Sequence, residues 1–156
     1  MMNKAASFWG LIGDNRIPMQ TEGDIESAIE RVSLRLQDLN PIELTQFQDE
    51  LHRHLFELDR EELASIAVML RDGTLRPQSS DGFLFKRAAC VLAGKFAFEA
   101  ATSSLAEFVR FVEPFANAAE FLLYQAPNEY LRKTGTEMGT RSPSYESGSN
   151  LAYWSA

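Results

Sequence analysis

SSDGFLFKRAACVLAGKFAF, running from Ser79 to Phe98, is the most apolar window in the 156-residue chain, and the other segments are read around it. Phe83, Phe85, Ala88, Ala89, Cys90, Val91, Leu92, Phe96 and Phe98 fall on every side of a helical wheel. A helix that is apolar all round belongs inside a domain with other helices packed about it. Its length would suffice to cross a bilayer, but Lys86, Arg87 and Lys95 each cost several kcal/mol in lipid. The expectation is therefore a central helix over about 81–98 in a water-facing bundle, started by Ser80 or Asp81 as N-cap.

Outward from this rod, amphipathic segments recur. Ile25, Ala28, Ile29, Val32, Leu36 and Leu39 step by threes and fours after Thr21. Asn40-Pro41 with Glu43 then reads as a stop followed by a new start, since Asn caps well and Pro tolerates the first helical position. Leu44, Phe47, Leu51, Leu55 and Leu58 form the next stripe. Asp59 restarts the pattern with Leu63, Ile66, Ala67 and Leu70 facing inward, until Asp72-Gly73 ends it. Leu105, Phe108, Val109 and Val112 suggest a helix after the central one. Pro114 and Pro127 bracket a further helix from Phe115 to about Gln125, Pro127 being expected to break or kink it. A short helix from Lys4 to Asp14 carries Phe8, Trp9, Leu11 and Ile12, and a connector over 13–20 follows it. No alternating strand pattern and no internal repeat stands out. The class expected is all-α: a single-domain bundle of about six to seven helices over 1–134. The Gly-, Ser- and Thr-rich remainder, 135–156, is read as a mobile tail, with Leu151, Tyr153 and Trp154 as an end that docks on the domain or on a partner.

Charge narrows the function. The net charge is −7, and Thr21 to Glu62 holds twelve acids against four bases. Nucleic-acid binding needs a basic surface to displace counterions, so no nucleic-acid partner is expected. An acidic helical face either solvates the fold or steers a basic protein partner. The residues chosen for such a face are Glu22, Asp24, Glu26, Glu30, Asp49 and Glu50. The lone Cys90 sits in the apolar centre, which fits a buried structural thiol and a reducing compartment. The first residues lack a sustained apolar run before a small-residue cleavage site. A cytoplasmic location with no membrane association is expected.

Catalytic signatures do not stand out. His52 and His54 are two apart and point in different directions on a helix, so they do not grip one metal. Glu50 and His54 are four apart, but a zinc site needs a third ligand. No metal and no cofactor is expected. No phosphate loop, dinucleotide fingerprint or nucleophile elbow occurs. Arg87 has apolar neighbours on most sides, and a buried guanidinium wants a carboxylate, for which Asp81, Glu99 and Glu120 are candidates. Trp9, Asp81, Arg87 and Lys95 together suggest an anion or ligand crevice between helices.

Several of these pieces resemble a bacterial family, domain of unknown function 4240. They are Phe8-Trp9 with Ile12, the Leu39-to-Glu43 helix start leading to Phe47 and Leu51, and above all Asp81-Gly82-Phe83 with Arg87 and Gly94. Ala119-Glu120, Tyr124 and the close Lys133-Thr134-Gly135 are similar as well. Phe85 stands where the family often has Tyr, and Lys95 where it has Arg. Lys86 replaces an aromatic residue and Ala89 a Trp. The resemblance spans about residues 8 to 135 and carries no activity with it. The functional expectation is thus a non-catalytic protein-binding module, in concrete form an immunity protein that neutralises a basic toxin through its acidic surface. The runner-up is a small-ligand binder or enzyme using the Asp81/Arg87/Lys95 crevice.

Overall fold

Two reciprocal capping boxes set where the longest helices begin. The Thr21 hydroxyl accepts from Asp24 N at 3.1 Å while the Asp24 carboxylate accepts from Thr21 N at 3.1 Å. Asn40 and Glu43 repeat the exchange at 2.8 and 3.0 Å. Each box satisfies amide donors that a helix start leaves without partners. The computed structural model describes residues 7–14 and 20–155. Its helices there are α1 (Phe8–Ile12), α2 (Glu22–Leu36), α3 (Pro41–Glu57), α4 (Glu61–Ala64), α5 (Ser80–Leu92), α6 (Lys95–Ser103), α7 (Leu105–Val109) and α8 (Gln125–Thr134). Two 3-10 segments, Pro114–Tyr124 and Leu151–Tyr153, and a hairpin of β1 (Val68–Met69) with β2 (Leu75–Arg76) complete them. The class is all-α, with that hairpin as the exception. The first part of the Lys4–Asp14 reading and most of the 13–20 connector lie outside the described residues.

α5 occupies the middle. Nine of its residues, Phe83, Leu84 and Lys86 through Leu92, are buried, and it packs against the 3-10 segment Pro114–Tyr124, α3, α2 and α6. Ser79 rather than Ser80 or Asp81 caps it, accepting from Gly82 N at 2.9 Å. The expected single rod over 81–98 is corrected to two helices. Gly94 has φ +111°, a conformation that side chains with a Cβ rarely adopt, and it turns the chain between α5 and α6. Beyond the turn Lys95 and Phe96 face outward, Phe96 being 71% exposed.

The helix expected after Asp59 stops at Ala64. Gln78, twelve to fifteen residues away, donates its side-chain amide to the carbonyls of Leu63, Ala64 and Ile66 at 2.9, 3.2 and 3.0 Å. These carbonyls find their partner there instead of in a further helical turn. The chain goes on into the hairpin, in which Val68 pairs with Arg76 and Met69 with Leu75. Pro127 breaks nothing: it lies in the first turn of α8, where its missing N–H has no intrahelical acceptor to lose. The preceding segment is 3-10 rather than α-helix. Arg35 joins α1 to the bundle by donating to Leu11 O and Ile12 O at 3.0 and 3.2 Å.

Residues 138–155, read from composition as a mobile tail, lie against α3, α4 and α5. Arg141 forks onto the Asp49 carboxylate at 2.7 and 2.9 Å. Met138, Tyr145 and Trp154 pack half-buried on the core. Of the three apolar residues expected to dock, Trp154 packs on the domain while Leu151 and Tyr153 stay exposed. The rest of this strap is held mainly by hydrogen bonds, which a count of apolar residues does not record.

Candidate functional site

The six carboxylates expected to form one acidic surface divide four ways. Ile25, Ala28, Ile29, Val32 and Leu36 turn one side of α2 to the core. Glu22, Glu26 and Glu30, four residues apart on the other side, are exposed in a row. Asp24 is engaged in the Thr21 capping box, and amide donors from Gln20 and Thr21 hold its carboxyl below the usual range. Asp49 is taken up by Arg141. Glu50 stands 4.0 Å from His54 Nε2. An open groove of about 340 Å³ between α1 and α3 is lined by Phe8, Glu43, Phe47, Asp49, Glu50 and Arg53.

The four residues proposed for a ligand crevice are not gathered into one. Asp81 is exposed in the first turn of α5, and Lys95 lies past its last turn. At 1.5 Å rise per residue they are about 20 Å apart along the helix axis. Trp9 stacks instead with His54 at 4.8 Å and with Phe98 at 5.5 Å. Arg87 is 0% exposed. Its Nη1 donates to Leu55 O at 2.9 Å and its Nη2 to Ser147 Oγ at 2.9 Å. Its guanidinium lies over the Phe83 ring at 4.5 Å, and its Nε is buried without a partner. None of Asp81, Glu99 and Glu120 pairs with it; the carboxylates whose field reaches it are Asp59 and Glu146. Burial lowers its pKa to about 10, with those two charges acting in the opposite direction, and it remains cationic at neutral pH. Lys86, 3% exposed, donates to Asn117 Oδ1 at 3.0 Å and Gly82 O at 3.3 Å.

Asp59 is the anchor of the strap, a role that its place at a helix start conceals. It is 0% exposed. Oδ1 accepts from Gly148 N at 3.0 Å and from the Trp154 indole at 3.0 Å, and Oδ2 accepts from Asn150 N at 2.9 Å. Asn150 Nδ2 donates to Phe56 O at 2.8 Å, and Ser147 Oγ to Ser80 O at 2.7 Å. Together with α3, α8 and the Pro114–Tyr124 segment, the strap walls a second open groove of about 340 Å³. His52 lies in its wall. Its Nδ1 is 2.9 Å from Pro143 O, and a carbonyl only accepts, so Nδ1 carries the proton. The Tyr145 ring sits 4.4 Å from the imidazole, and burial, its largest influence, lowers the pKa of His52.

His54, two residues on, faces the opposite way, among Phe8, Trp9 and Phe98 at 4.8–4.9 Å. Its Nδ1 is buried without a partner. Burial first, and Arg53 second, depress its pKa to about 4. The folded protein therefore keeps His54 neutral over a range in which the unfolded chain takes up a proton. Stability from this residue is fully present above about pH 6.5 and is lost as pH falls toward 4. An NMR titration of the imidazole should give a midpoint near 4. His54→Phe should flatten the fall in stability between pH 6.5 and 4, as read by urea unfolding.

Cys90 is buried, and burial pushes its thiol pKa up, which makes it unreactive. Among the described residues no three His, Cys, Asp or Glu side chains gather as a metal site, and no helix is long and apolar enough to cross a membrane.

This arrangement is an all-α domain with an outward carboxylate row, a buried arginine at its centre and an open groove under a C-terminal strap. The chain belongs to the family described as Protein of unknown function (DUF4240), which it matches over residues 2–132. The strap lies beyond the matched residues. No curated protein and no solved structure matches the chain.

Proposed function

We propose that this chain is a protein-binding module of the bacterial cytoplasm that docks a basic partner through the outer face of α2. The concrete form is an immunity protein that covers the active site of a basic toxin. The observation that carries this reading is the row of Glu22, Glu26 and Glu30. They are exposed at four-residue spacing, and among the described residues none of them forms an ion pair. Leu34, next in the same row, is 58% exposed and adds an apolar contact at its end. Such a row raises the rate of encounter with a cationic surface more than it slows dissociation.

The test begins with a partner captured by cross-linking in producing cells and purified. The triple variant Glu22→Gln, Glu26→Gln, Glu30→Gln should fold normally, since all three side chains are outside the core. Its association rate at low salt should fall by about tenfold or more, with dissociation little changed. If the partner is a toxin, wild type should rescue growth in its presence and the triple variant should rescue poorly. Association that is equally fast, and equally insensitive to salt, in both proteins would overturn the reading.

A further inference from the structure

The groove beneath the strap contains two hydrogen-bond acceptors that are not satisfied within the protein. Gln48 is 3% exposed, and its Nε2 donates to Leu123 O at 3.2 Å. That bond sets the orientation of the amide and leaves Oε1, which is buried with no partner. A buried acceptor without a donor is costly in a folded protein and calls for an explanation. His52 supplies the other acceptor, which unlike Gln48 Oε1 is not a buried orphan. Because Nδ1 donates to Pro143 O, Nε2 of the neutral ring bears a lone pair. Gln48 and His52 lie one helical turn apart on α3 and line the same groove.

The surroundings select a cation. Glu146 lines the groove, and Glu120 accepts from the Tyr124 hydroxyl at 3.0 Å. Tyr124 has its pKa pushed up to about 12, first by burial and then by Glu120, with Asp81 among the lesser causes. Glu146 is the carboxylate in the lining itself, while Glu120 and Asp81 reach the groove through Tyr124 from outside it. The one guanidinium in the lining, Arg141, is neutralised by its two-pronged bond to Asp49. Tyr124 and Tyr145 supply aromatic surface. Acceptors, negative charge and aromatic rings together suit a planar cation carrying several N–H donors. A guanidinium stacks on such rings and donates in its own plane, whereas an ammonium is compact and strongly hydrated.

We propose that the groove walled by α3, α8 and the strap is a receptor site for an arginine side chain presented by a protein partner. A volume of about 340 Å³ holds a guanidinium with part of its alkyl stem. The site adds a specific anchor to the long-range attraction of the α2 face. It rests on different residues, so either can fail alone.

The test uses the full chain and N-acetyl-arginine N-methylamide as probe, with the matching lysine and norleucine amides as controls. Binding is followed by NMR through the Gln48 side-chain amide and the His52 ring. The arginine probe should shift both signals saturably, with a Kd of about 1–10 mM as befits one side chain. The lysine probe should bind several-fold more weakly and norleucine not at all. Gln48→Leu should abolish the shift at His52. Because that variant also loses a buried hydrogen bond, Glu146→Gln, at an exposed position, serves as the second and should weaken binding about threefold or more. The Glu22, Glu26, Glu30 triple variant should bind the probe like wild type, which separates this site from the α2 face. No saturable shift up to about 50 mM, equal response to lysine, or an affinity unaltered in Glu146→Gln would each overturn the proposal.

Discussion

Replacing Asp59 by Ala is expected to destabilise the fold by about 3–5 kcal/mol, among the largest effects of any polar substitution in the chain. Gly148 N and Asn150 N depend on this one buried carboxylate alone. The Trp154 indole shares its proton between the carboxylate and the Asp59 backbone carbonyl, each at 3.0 Å, so alanine orphans two donors and halves the bonding of the third. Each buried donor left without an acceptor costs about 1–3 kcal/mol. The strap has one escape, which is to detach and let water take the donors, and this limits the loss to the free energy that fixes it. The substitution also removes a negative charge from the field around Arg87, which has no ion-pair partner to fall back on. Urea unfolding of Asp59→Ala should show the lowered midpoint, and the Trp154 emission should shift to the red in the native baseline if the strap has detached. Asp59→Asn should cost roughly half as much. Its amide oxygen still serves Gly148 and the indole, but its NH2 group opposes the N–H of Asn150.

Arg87→Ala is expected to cost about 3–5 kcal/mol as well, for another reason. The side chain is among the largest fully buried in the molecule. Its loss opens a cavity beside Phe83 and strips Leu55 O and Ser147 Oγ of their donors. Arg87→Met separates the two contributions. Methionine fills nearly the same volume and removes a buried charge whose Nε is unsatisfied. Methionine restores the bulk but leaves Leu55 O and Ser147 Oγ without their donors, so Arg87→Met should cost about 1–3 kcal/mol, less than Arg87→Ala by the cavity that alanine opens. Chemical denaturation of the two variants decides between the contributions. If methionine is as damaging as alanine, the hydrogen bonds and charge of the guanidinium hold the site rather than its bulk, and the account of Arg87 as mainly a packing element is wrong.

The sequence revealed most where structure depends on near neighbours. Thr21 with Asp24 and Asn40-Pro41 with Glu43 announce their helices because a capping box closes within four residues. The periodic stripes of α2 and α3 predicted their buried faces, and with them the outward position of Glu22, Glu26 and Glu30. The all-round apolar character of Phe83 to Leu92 placed α5 at the centre. Gly94 is visible as a residue, but nothing local requires its positive φ, so the sequence reading carries the rod six residues past the end of α5, to Phe98.

What the sequence hid depends on partners far along the chain. Gln78 ends α4 from at least twelve residues away. Asp59 and Asp49 meet the strap at separations of about ninety residues. Periodicity does not record such pairings, and a Ser- and Gly-rich composition argues against them. The same omission hid the groove. His52 and Gln48 look like ordinary residues on a helix until the strap brings Pro143 and Tyr145 beside them. Asp49 was assigned to an outward acidic surface for the same reason: its partner, Arg141, lay in a segment read as mobile.

The central claim is that the segment from Met138 to Trp154 is a fixed part of the domain, pinned by Asp59 over Arg87 and forming one wall of the arginine groove. Native-state hydrogen exchange on the full chain tests it most directly at the backbone amides of Gly148 and Asn150 and at the Trp154 indole. The account predicts that all three are strongly protected in wild type and that Asp59→Ala releases them together while the amides in the middle of α5 stay protected. Exchange of the three at the rate of an unstructured peptide in wild type would contradict it.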